Sequence, residues 1–212
     1  MRAVDVVLFD FGGVFTASPF TAVAEMAAAE GLDPLAFAAV MFGDYSQDND
    51  HPWHRLERGE LAFMDACDQI TALGQEASLR VSPLDLLMKM GSEKIIHQAM
   101  IDVARDAKMA GLQTGIITNN VREFSDSWQQ MIPVAEIIDQ VFDSSLMGVR
   151  KPNPVIFERA LHAVSVPAAR AVFLDDVPAN VEAAKSLGMY GILVEADPLP
   201  AIAALRSLVG LS

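Results

Sequence analysis

Three short apolar runs each end in a polar side chain that can bind a metal ion or a phosphate. Val4 to Phe9 is followed by Asp10, Leu112 to Ile117 by Thr118, and Ala171 to Leu174 by Asp175 and Asp176. Because the carboxyl ends of parallel strands meet at one edge of a sheet, we expect these side chains to converge there. Taken alone, each is also a common helix N-cap, but coincidence at three strand ends weakens that alternative.

A lysine lies between the second and third of these strand ends. Lys151 stands in the stretch G-V-R-K-P-N-P, just before a helix predicted to begin at Pro154. Proline is favoured in the first turn of a helix because its missing N–H is not needed there. In isolation Lys151 would be interpreted as a solvated surface residue, and only its neighbours in the pattern suggest chemistry.

In chain order, these residues resemble the four motifs of the haloacid dehalogenase superfamily, a large group of mainly phosphate-ester hydrolases. The matching segments are L-F-D-F-G-G-V at Asp10, G-I-I-T-N at Thr118, R-K-P-N-P-V-I-F at Lys151 and V-F-L-D-D-V-P-A-N at Asp175 and Asp176. The resemblance spans the whole chain. Receiver domains of phosphorelay systems share the residue types but place the acid pair after the first strand, whereas here it comes last.

The resemblance implies a Mg²⁺-dependent phosphatase that acts on a small phosphorylated metabolite. The ion would bind Asp10, the backbone carbonyl of Gly12 and Asp176, while Asp175 would act mainly through a bound water. Asn180 would hold the metal-binding groups in place.

The same resemblance assigns the catalytic roles to Asp10, Thr118 and Lys151. The Asp10 carboxylate would attack phosphorus and form an aspartyl-phosphate, which water then hydrolyses. Thr118, Asn119 and Lys151 would bind the phosphoryl group and stabilise its charge.

Gly12 departs from the family pattern, which usually has a second aspartate at this position. That aspartate protonates the leaving alcohol and later deprotonates water, and glycine can do neither. We therefore expect a slower phosphatase or one helped by another residue. His51, His54 and Asp50 are candidates for that role, although such residues are more often structural or solvent-exposed.

The order of the elements predicts an α/β fold, a Rossmann-like three-layer core with a mostly parallel sheet. Two more apolar runs, Ile137 to Phe142 and Tyr190 to Val194, complete five predicted strands. The helices expected between the strands are 101–110, 154–164 and 179–187.

Residues 17–95 break this rhythm and are predicted to form a small helical cap inserted after strand one, leaving 1–16 and 96–212 as the core. Helical patterns cover 22–29, 34–41, 61–73 and 83–90, and the polar stretch 43–58 is predicted to be a loop that contacts the core or a ligand. The insertion resembles the family's common helical cap. The segments D-F-G-G-V and H-P-W-H-R-L-E-R-G-E are similar to the branch that includes the phosphatase domain of soluble epoxide hydrolases.

The composition of the chain limits the classes of partner that we expect. The chain has 212 residues, 52% of them hydrophobic, and a formal net charge of −13, which argues against a nucleic-acid surface. No apolar run approaches the length of a membrane span, and the N-terminus does not suit a signal peptide, so a cytoplasmic location without membrane contact is expected.

The single cysteine, Cys67, is expected in the core. The oligomeric state stays open, with a homodimer as one option.

Two other functions compete with the phosphatase. A haloacid dehalogenase would use Asp10 without a metal and also lacks the second aspartate, but typically does not keep the acid pair of the fourth motif. A catalytically weakened ligand- or partner-binding module would explain Gly12, but not the retention of Asp10, Thr118, Lys151 and both later acids.

Overall fold

A five-stranded, all-parallel sheet forms the centre of the computed structural model, which describes residues 3–92, 95–125 and 127–211. The strands lie in the order β3-β2-β1-β4-β5, with helices on both faces. The predicted α/β fold is confirmed. The strands are β1 (Val6–Phe9), β2 (Gln113–Thr118), β3 (Gln140–Asp143), β4 (Ala171–Asp175) and β5 (Tyr190–Leu193).

Among the described residues, five helices lie between β1 and the helix that leads into β2. They are α1 (Pro19–Ala29), α2 (Pro34–Phe42), α3 (Pro52–Glu57), α4 (Phe63–Glu76) and α5 (Pro83–Ser92). The helix α3 corrects the prediction of a loop over 43–58. Its signal is local: Pro52 occupies the first turn, and the His51 side chain accepts a hydrogen bond from the Trp53 backbone.

The remaining helices pack against the sheet or connect its strands. They are α6 (Gln98–Met109), α7 (Val134–Ile137), α8 (Ser144–Met147), α9 (Pro154–Val164), α10 (Pro178–Ser186) and α11 (Leu199–Val209). The predicted third strand began too early because Ile137 ends α7. No helix was predicted over 199–209, where α11 covers the sheet. Within the described part of the chain, none of these helices is long and apolar enough to cross a membrane.

The sheet is buried on both faces, so its strands are nearly continuous apolar runs. Val7 and Phe9 of β1 point into a cluster that includes residues of α6 and α11. Val6 and Leu8 point into a second cluster with residues of α9. This alternation holds β1 rigidly in the centre of the sheet and thereby positions the residue that follows it.

The helices α1 to α5 have an apolar core of their own, which includes Val23, Phe37 and Ile70. Cys67 is buried in a neighbouring cluster, as predicted. The chain enters and leaves this region side by side, because Thr16 and Ile96 form an antiparallel bridge. The region 17–95 is called the insertion below.

Candidate active site

The first and fourth strands bring three carboxylates together at the carboxyl edge of the sheet. In parallel pairing, Phe9 of β1 lies opposite Leu174 of β4, so Asp10 and Asp175 follow as neighbours. β1 is also where the connections change direction, because β2 lies on one side of it and β4 on the other. Such a switch point leaves a crevice at the strand ends, the usual ligand site of this fold.

Lys151 bridges two of the acids. Its Nζ lies 2.6 Å from Asp10 Oδ1 and 2.7 Å from Asp175 Oδ2, and the side chain is only 1% exposed. Burial disfavours the ammonium ion, but the two carboxylates outweigh burial and raise the pKa of Lys151. The lysine is therefore a fixed positive charge beside Asp10 and not a surface residue.

Asp175 is held by a set of donors. The Asn180 side chain donates to both of its carboxylate oxygens, at 3.1 and 3.0 Å, and the Val177 N–H donates to Oδ1 at 2.7 Å. Asn180 therefore lies next to one of the predicted metal-binding acids. Because both oxygens of Asp175 accept protein hydrogen bonds, this residue mainly orients Lys151 and the start of α10.

Asp176 faces the same space and receives a hydrogen bond from the insertion. Ser18 Oγ donates to Asp176 Oδ2 at 2.6 Å, and the same hydroxyl caps α1. Burial, followed by repulsion from Asp175, raises the pKa of Asp176 to about 7. Burial also raises the pKa of Asp10 well above its ordinary value, although Lys151 opposes this.

This group of carboxylates fits a divalent cation. One oxygen each from Asp10, Asp175 and Asp176 lies within 4.8 Å of the others. Burial, together with repulsion between neighbouring acids, raises the pKa of Asp10 and of Asp176 despite the charge of Lys151, so a further positive charge would favour their ionised forms. Oxygen ligands of this kind suit Mg²⁺. Gly12 and Gly13 form the turn after Asp10. Gly13 has a positive φ of 77°, and a Cβ atom there would lie 2.1 Å from Asp176, so only glycine fits.

The stabilisation by Mg²⁺ is expected to depend on pH. Because its pKa is raised from 3.8 to about 7 in the folded protein, Asp176 stabilises the metal-free fold while protonated, and this contribution is lost as pH rises through 7. Mg²⁺ needs the ionised form, so proton competition should weaken its affinity about 30-fold between pH 8 and pH 5.5.

Thermal unfolding with and without Mg²⁺ at these two pH values checks this prediction. A larger rise in the melting temperature at pH 8 is the expected result, and Asp176→Asn should reduce the pH dependence to the part that Asp10 contributes. An equal rise at both pH values in the native protein would contradict an ion site that includes Asp176.

Thr118 and Asn119 lie at the end of β2 and line the space in front of Asp10. Thr118 is 5% exposed. The Asn119 amide binds the backbone of Lys151 on both sides, accepting from its N–H at 2.8 Å and donating to its C=O at 3.0 Å. The structure thus brings together the predicted residues Asp10, Thr118, Lys151, Asp175 and Asp176, and shows that Asn119 organises Lys151 directly.

A cavity of about 740 Å³ opens from these residues into the space between the sheet edge and the insertion. Its lining is mostly apolar and comes from both sides of the cleft. Six of the large apolar side chains are Phe20, Phe42, Trp53, Leu87, Phe124 and Trp128.

The three candidates for a replacement acid–base group lie elsewhere. Asp50, His51 and His54 do not line this cavity within the described chain, and Asp50 is fully exposed. His54 is buried, and burial followed by the charge of Arg150 lowers its pKa to about 3. These residues therefore have structural or solvent-exposed positions. Ser18, Tyr45 and Glu57, which do line the cavity, were not among the predicted site residues.

Comparisons with known proteins identify the family of the chain. The family model of haloacid dehalogenase-like hydrolases matches residues 4–188. A sesquiterpene phosphatase of Aspergillus oryzae is 28% identical over 96% of this chain and 95% of its own length. Mouse acyl-CoA dehydrogenase family member 10 is 30% identical over 99% of this chain, and rat bifunctional epoxide hydrolase 2 is 27% identical over 75% of it. The matched segments span 19% and 31% of those two longer proteins.

Solved structures share the fold at low sequence identity. An L-2-haloacid dehalogenase superposes with a TM-score of 0.69 at 17% identity, covering 97% of this chain and all of the other. A haloacid dehalogenase family enzyme from Bacteroides thetaiotaomicron, in complex with magnesium and inorganic phosphate, gives a TM-score of 0.60 at 16% identity. The alignment covers 92% of this chain and 96% of that enzyme.

Proposed function

Because the chain belongs to the haloacid dehalogenase-like hydrolases, we propose that it is a Mg²⁺-dependent phosphatase that acts through an aspartyl-phosphate on Asp10. The observation that carries the proposal is the cluster of Asp10, Asp175 and Asp176 around the buried Lys151. A retained acid pair at the end of β4 is the feature that a metal-dependent reaction needs.

Mg²⁺ would be held by Asp10, Asp176 and the Gly12 carbonyl, with Asp175 in a supporting role. When bound, it would offset the negative charge of the phosphate and the carboxylates. Lys151 supplies a second positive charge on the side of Asp10, at 2.6 Å from its carboxylate. Together these charges allow an anionic nucleophile to approach an anionic phosphate.

The proposed reaction has two steps. An oxygen of Asp10 attacks phosphorus, the bond from phosphorus to the leaving oxygen breaks, and the leaving oxygen departs with the electron pair and takes a proton from solvent water, because Gly12 cannot supply one. Thr118 donates its hydroxyl to a phosphoryl oxygen, and Lys151 holds the nucleophile in line. Water then attacks the aspartyl-phosphate, which regenerates the Asp10 carboxylate and releases inorganic phosphate.

The organic part of the substrate is proposed to be apolar. The cavity next to Asp10 is lined mostly by aromatic and aliphatic side chains of the insertion and the core. Burial of an apolar chain against such a lining is favourable by about 25 cal/mol per Å² of apolar surface. One relative that this chain resembles over nearly its whole length is a sesquiterpene phosphatase, whose name also points to an apolar phosphate ester.

The insertion is proposed to act as a cap over the site, with 17–95 as the cap and 1–16 and 96–212 as the core. Ser18 supports this division, because it connects the first helix of the insertion to Asp176. The paired crossing segments at Thr16 and Ile96 are the place where a cap would hinge.

A metal-independent dehalogenase is the second candidate, favoured by Gly12 and by the fold shared with an L-2-haloacid dehalogenase. The group of three neighbouring carboxylates argues against it, because without a metal ion Lys151 alone offsets their charge.

The test is release of inorganic phosphate from paired phosphomonoesters at pH 7.5, with Mg²⁺ or with EDTA. The panel pairs farnesyl and decyl phosphate with glucose 6-phosphate and glycerol phosphate. We expect Mg²⁺-dependent release and a kcat/KM at least about 10-fold higher for the apolar esters. Equal rates across the panel would overturn the apolar preference, and chloride release from 2-chloropropionate without metal would identify a dehalogenase.

A further inference from the structure

A buried polar network crosses from the insertion to the core directly behind the phosphate-binding residues. Glu57 at the end of α3 is its centre: one carboxylate oxygen accepts from Arg150 Nε at 2.6 Å, and the other from Tyr45 and Trp53 Nε1 at 2.6 and 2.8 Å. Arg150 is completely buried and Glu57 is 3% exposed. A charged pair at this depth is held in place strongly once formed, because breaking it leaves an uncompensated charge.

The network reaches the active site through Tyr45. Asn119 Nδ2 donates to the Tyr45 hydroxyl at 3.3 Å while also donating to the Lys151 carbonyl at 3.0 Å. Burial, and then the charge of Glu57, raise the pKa of Tyr45 well above 10, so the hydroxyl keeps its proton and donates it to Glu57. Its lone pairs are left to accept from Asn119.

Two further sets of contacts connect the network to the segments that carry Lys151 and Asn119. The Arg150 guanidinium lies 4.4 Å from the centroid of the Tyr45 ring, and Arg150 directly precedes Lys151. The Glu57 carbonyl accepts from Ser144 Oγ at 2.6 Å, and that hydroxyl accepts from the Asn120 N–H at 3.0 Å. The insertion therefore holds both segments that present Lys151 and Asn119, although none of its network residues bonds to Asp10.

We infer that Tyr45, Glu57 and Arg150 form a positioning network, in which the Tyr45 hydroxyl holds the Asn119 amide in the orientation that fixes the backbone of Lys151. Tyr45, Trp53 and Glu57 also line the apolar cavity. A substrate chain in the cavity contacts the same side chains that align the phosphate-binding residues. The contacts that dock the insertion on the core are therefore also the contacts that position the catalytic lysine.

The structure offers a matched pair of variants to test this inference. Tyr45→Phe and Trp53→Phe each remove one donor from the same Glu57 oxygen, but only the first also removes the acceptor used by Asn119. The ring that Tyr45→Phe leaves in place can still pack against Arg150, and the ring that Trp53→Phe leaves in place can still pack against Phe42, so both proteins are expected to fold. Thermal unfolding of each variant measures the structural cost of the lost hydrogen bond.

Backbone amide hydrogen exchange at Lys151 is the first readout, because its N–H donates to Asn119 Oδ1. We expect exchange at this amide to become about 10-fold faster in Tyr45→Phe and to stay within about 3-fold of the native rate in Trp53→Phe, since about 1.4 kcal/mol of lost local stability corresponds to a factor of 10. This arm is independent of catalysis. Equal exchange in both variants, or a change that follows only the melting temperature, would overturn the positioning role.

Kinetics with the best substrate of the panel is the second readout, and this arm rests on the proposed phosphatase activity. Tyr45→Phe should lower kcat about 10-fold with little change in KM, because Lys151 is misaligned for the chemical step, while Trp53→Phe should mainly raise KM through the cavity wall. If the native protein releases no phosphate but the exchange difference is present, the proposed function fails and the network stands. If kcat is unchanged in Tyr45→Phe while activity is normal, the network has no catalytic role.

Discussion

Asp10→Asn is expected to lower Mg²⁺-dependent phosphate release by at least about 1,000-fold without destabilising the protein. The amide retains the size of the carboxylate but cannot form the aspartyl-phosphate. The pKa of Asp10 is raised by burial and by its two acidic neighbours, so the ionised carboxylate costs folding stability at neutral pH. Removing it should leave the melting temperature of the metal-free protein unchanged or higher, while Lys151 keeps its bond to Asp175.

Three measurements distinguish loss of the nucleophile from loss of activity through unfolding. Phosphate release is followed by a coupled assay, stability by thermal unfolding, and the intermediate by mass spectrometry of acid-quenched native protein. The peptide that contains Asp10 should gain the mass of one phosphoryl group in the native protein and not in the variant. Asp10→Ala controls for slow hydrolysis of the introduced amide. Full activity in Asp10→Ala would exclude Asp10 as the nucleophile.

The sheet could be predicted from the sequence because buried parallel strands are short apolar runs between helical patterns. The boundaries were less accurate where an apolar run continues across a change of structure. Ile137 belongs to α7, although it reads as the start of the next strand. The helix α3 is polar on much of its surface, so hydrophobic periodicity did not reveal it, while its proline and capping histidine did mark its start.

The candidate site was predictable to the extent that it lies at strand ends. Asp10, Thr118 and the acid pair are placed by the sheet alone, since parallel strands end at one edge. Ser18 and Tyr45 come from the insertion, and their partners Asp176 and Asn119 lie far along the chain. No local pattern encodes such contacts, because they depend on how the insertion packs on the core.

Glu57 illustrates the same limit for a charged residue. Within H-R-L-E-R it is one of several charged residues in a stretch predicted to be a loop, yet it is buried against Arg150. The sequence indicates neither the burial nor the partner. The polar stretch is predicted to contact the core or a ligand, and the structure shows that Glu57 contacts the core through Arg150 and Ser144.

Gly12→Asp is expected to accelerate hydrolysis of alkyl phosphates about 100-fold, at the lower end of what general acid–base catalysis contributes. The backbone can accept a side chain here: a Cβ atom at Gly12 would meet only Pro19, at 3.5 Å, and Gly12 does not have a positive φ. The new carboxyl would follow Asp10 by two positions, where the family resemblance places the group that protonates the leaving oxygen. Activity is measured with saturating Mg²⁺, because a fourth carboxylate adds repulsion to the metal-free site.

The two chemical steps give this prediction a distinctive signature. For alkyl phosphates, kcat/KM should rise, because a poor leaving group needs a proton as its bond to phosphorus breaks. For 4-nitrophenyl phosphate, kcat/KM should change little, since its leaving oxygen departs as a stable anion, while kcat should rise if hydrolysis of the aspartyl-phosphate limits turnover. Gly12→Asn is the matched control, with the same shape and no acid–base group. Equal kinetics for the Asp and Asn variants would mean that a side chain at this position does not reach the leaving group, and the slow step would then have to be sought elsewhere in the cavity.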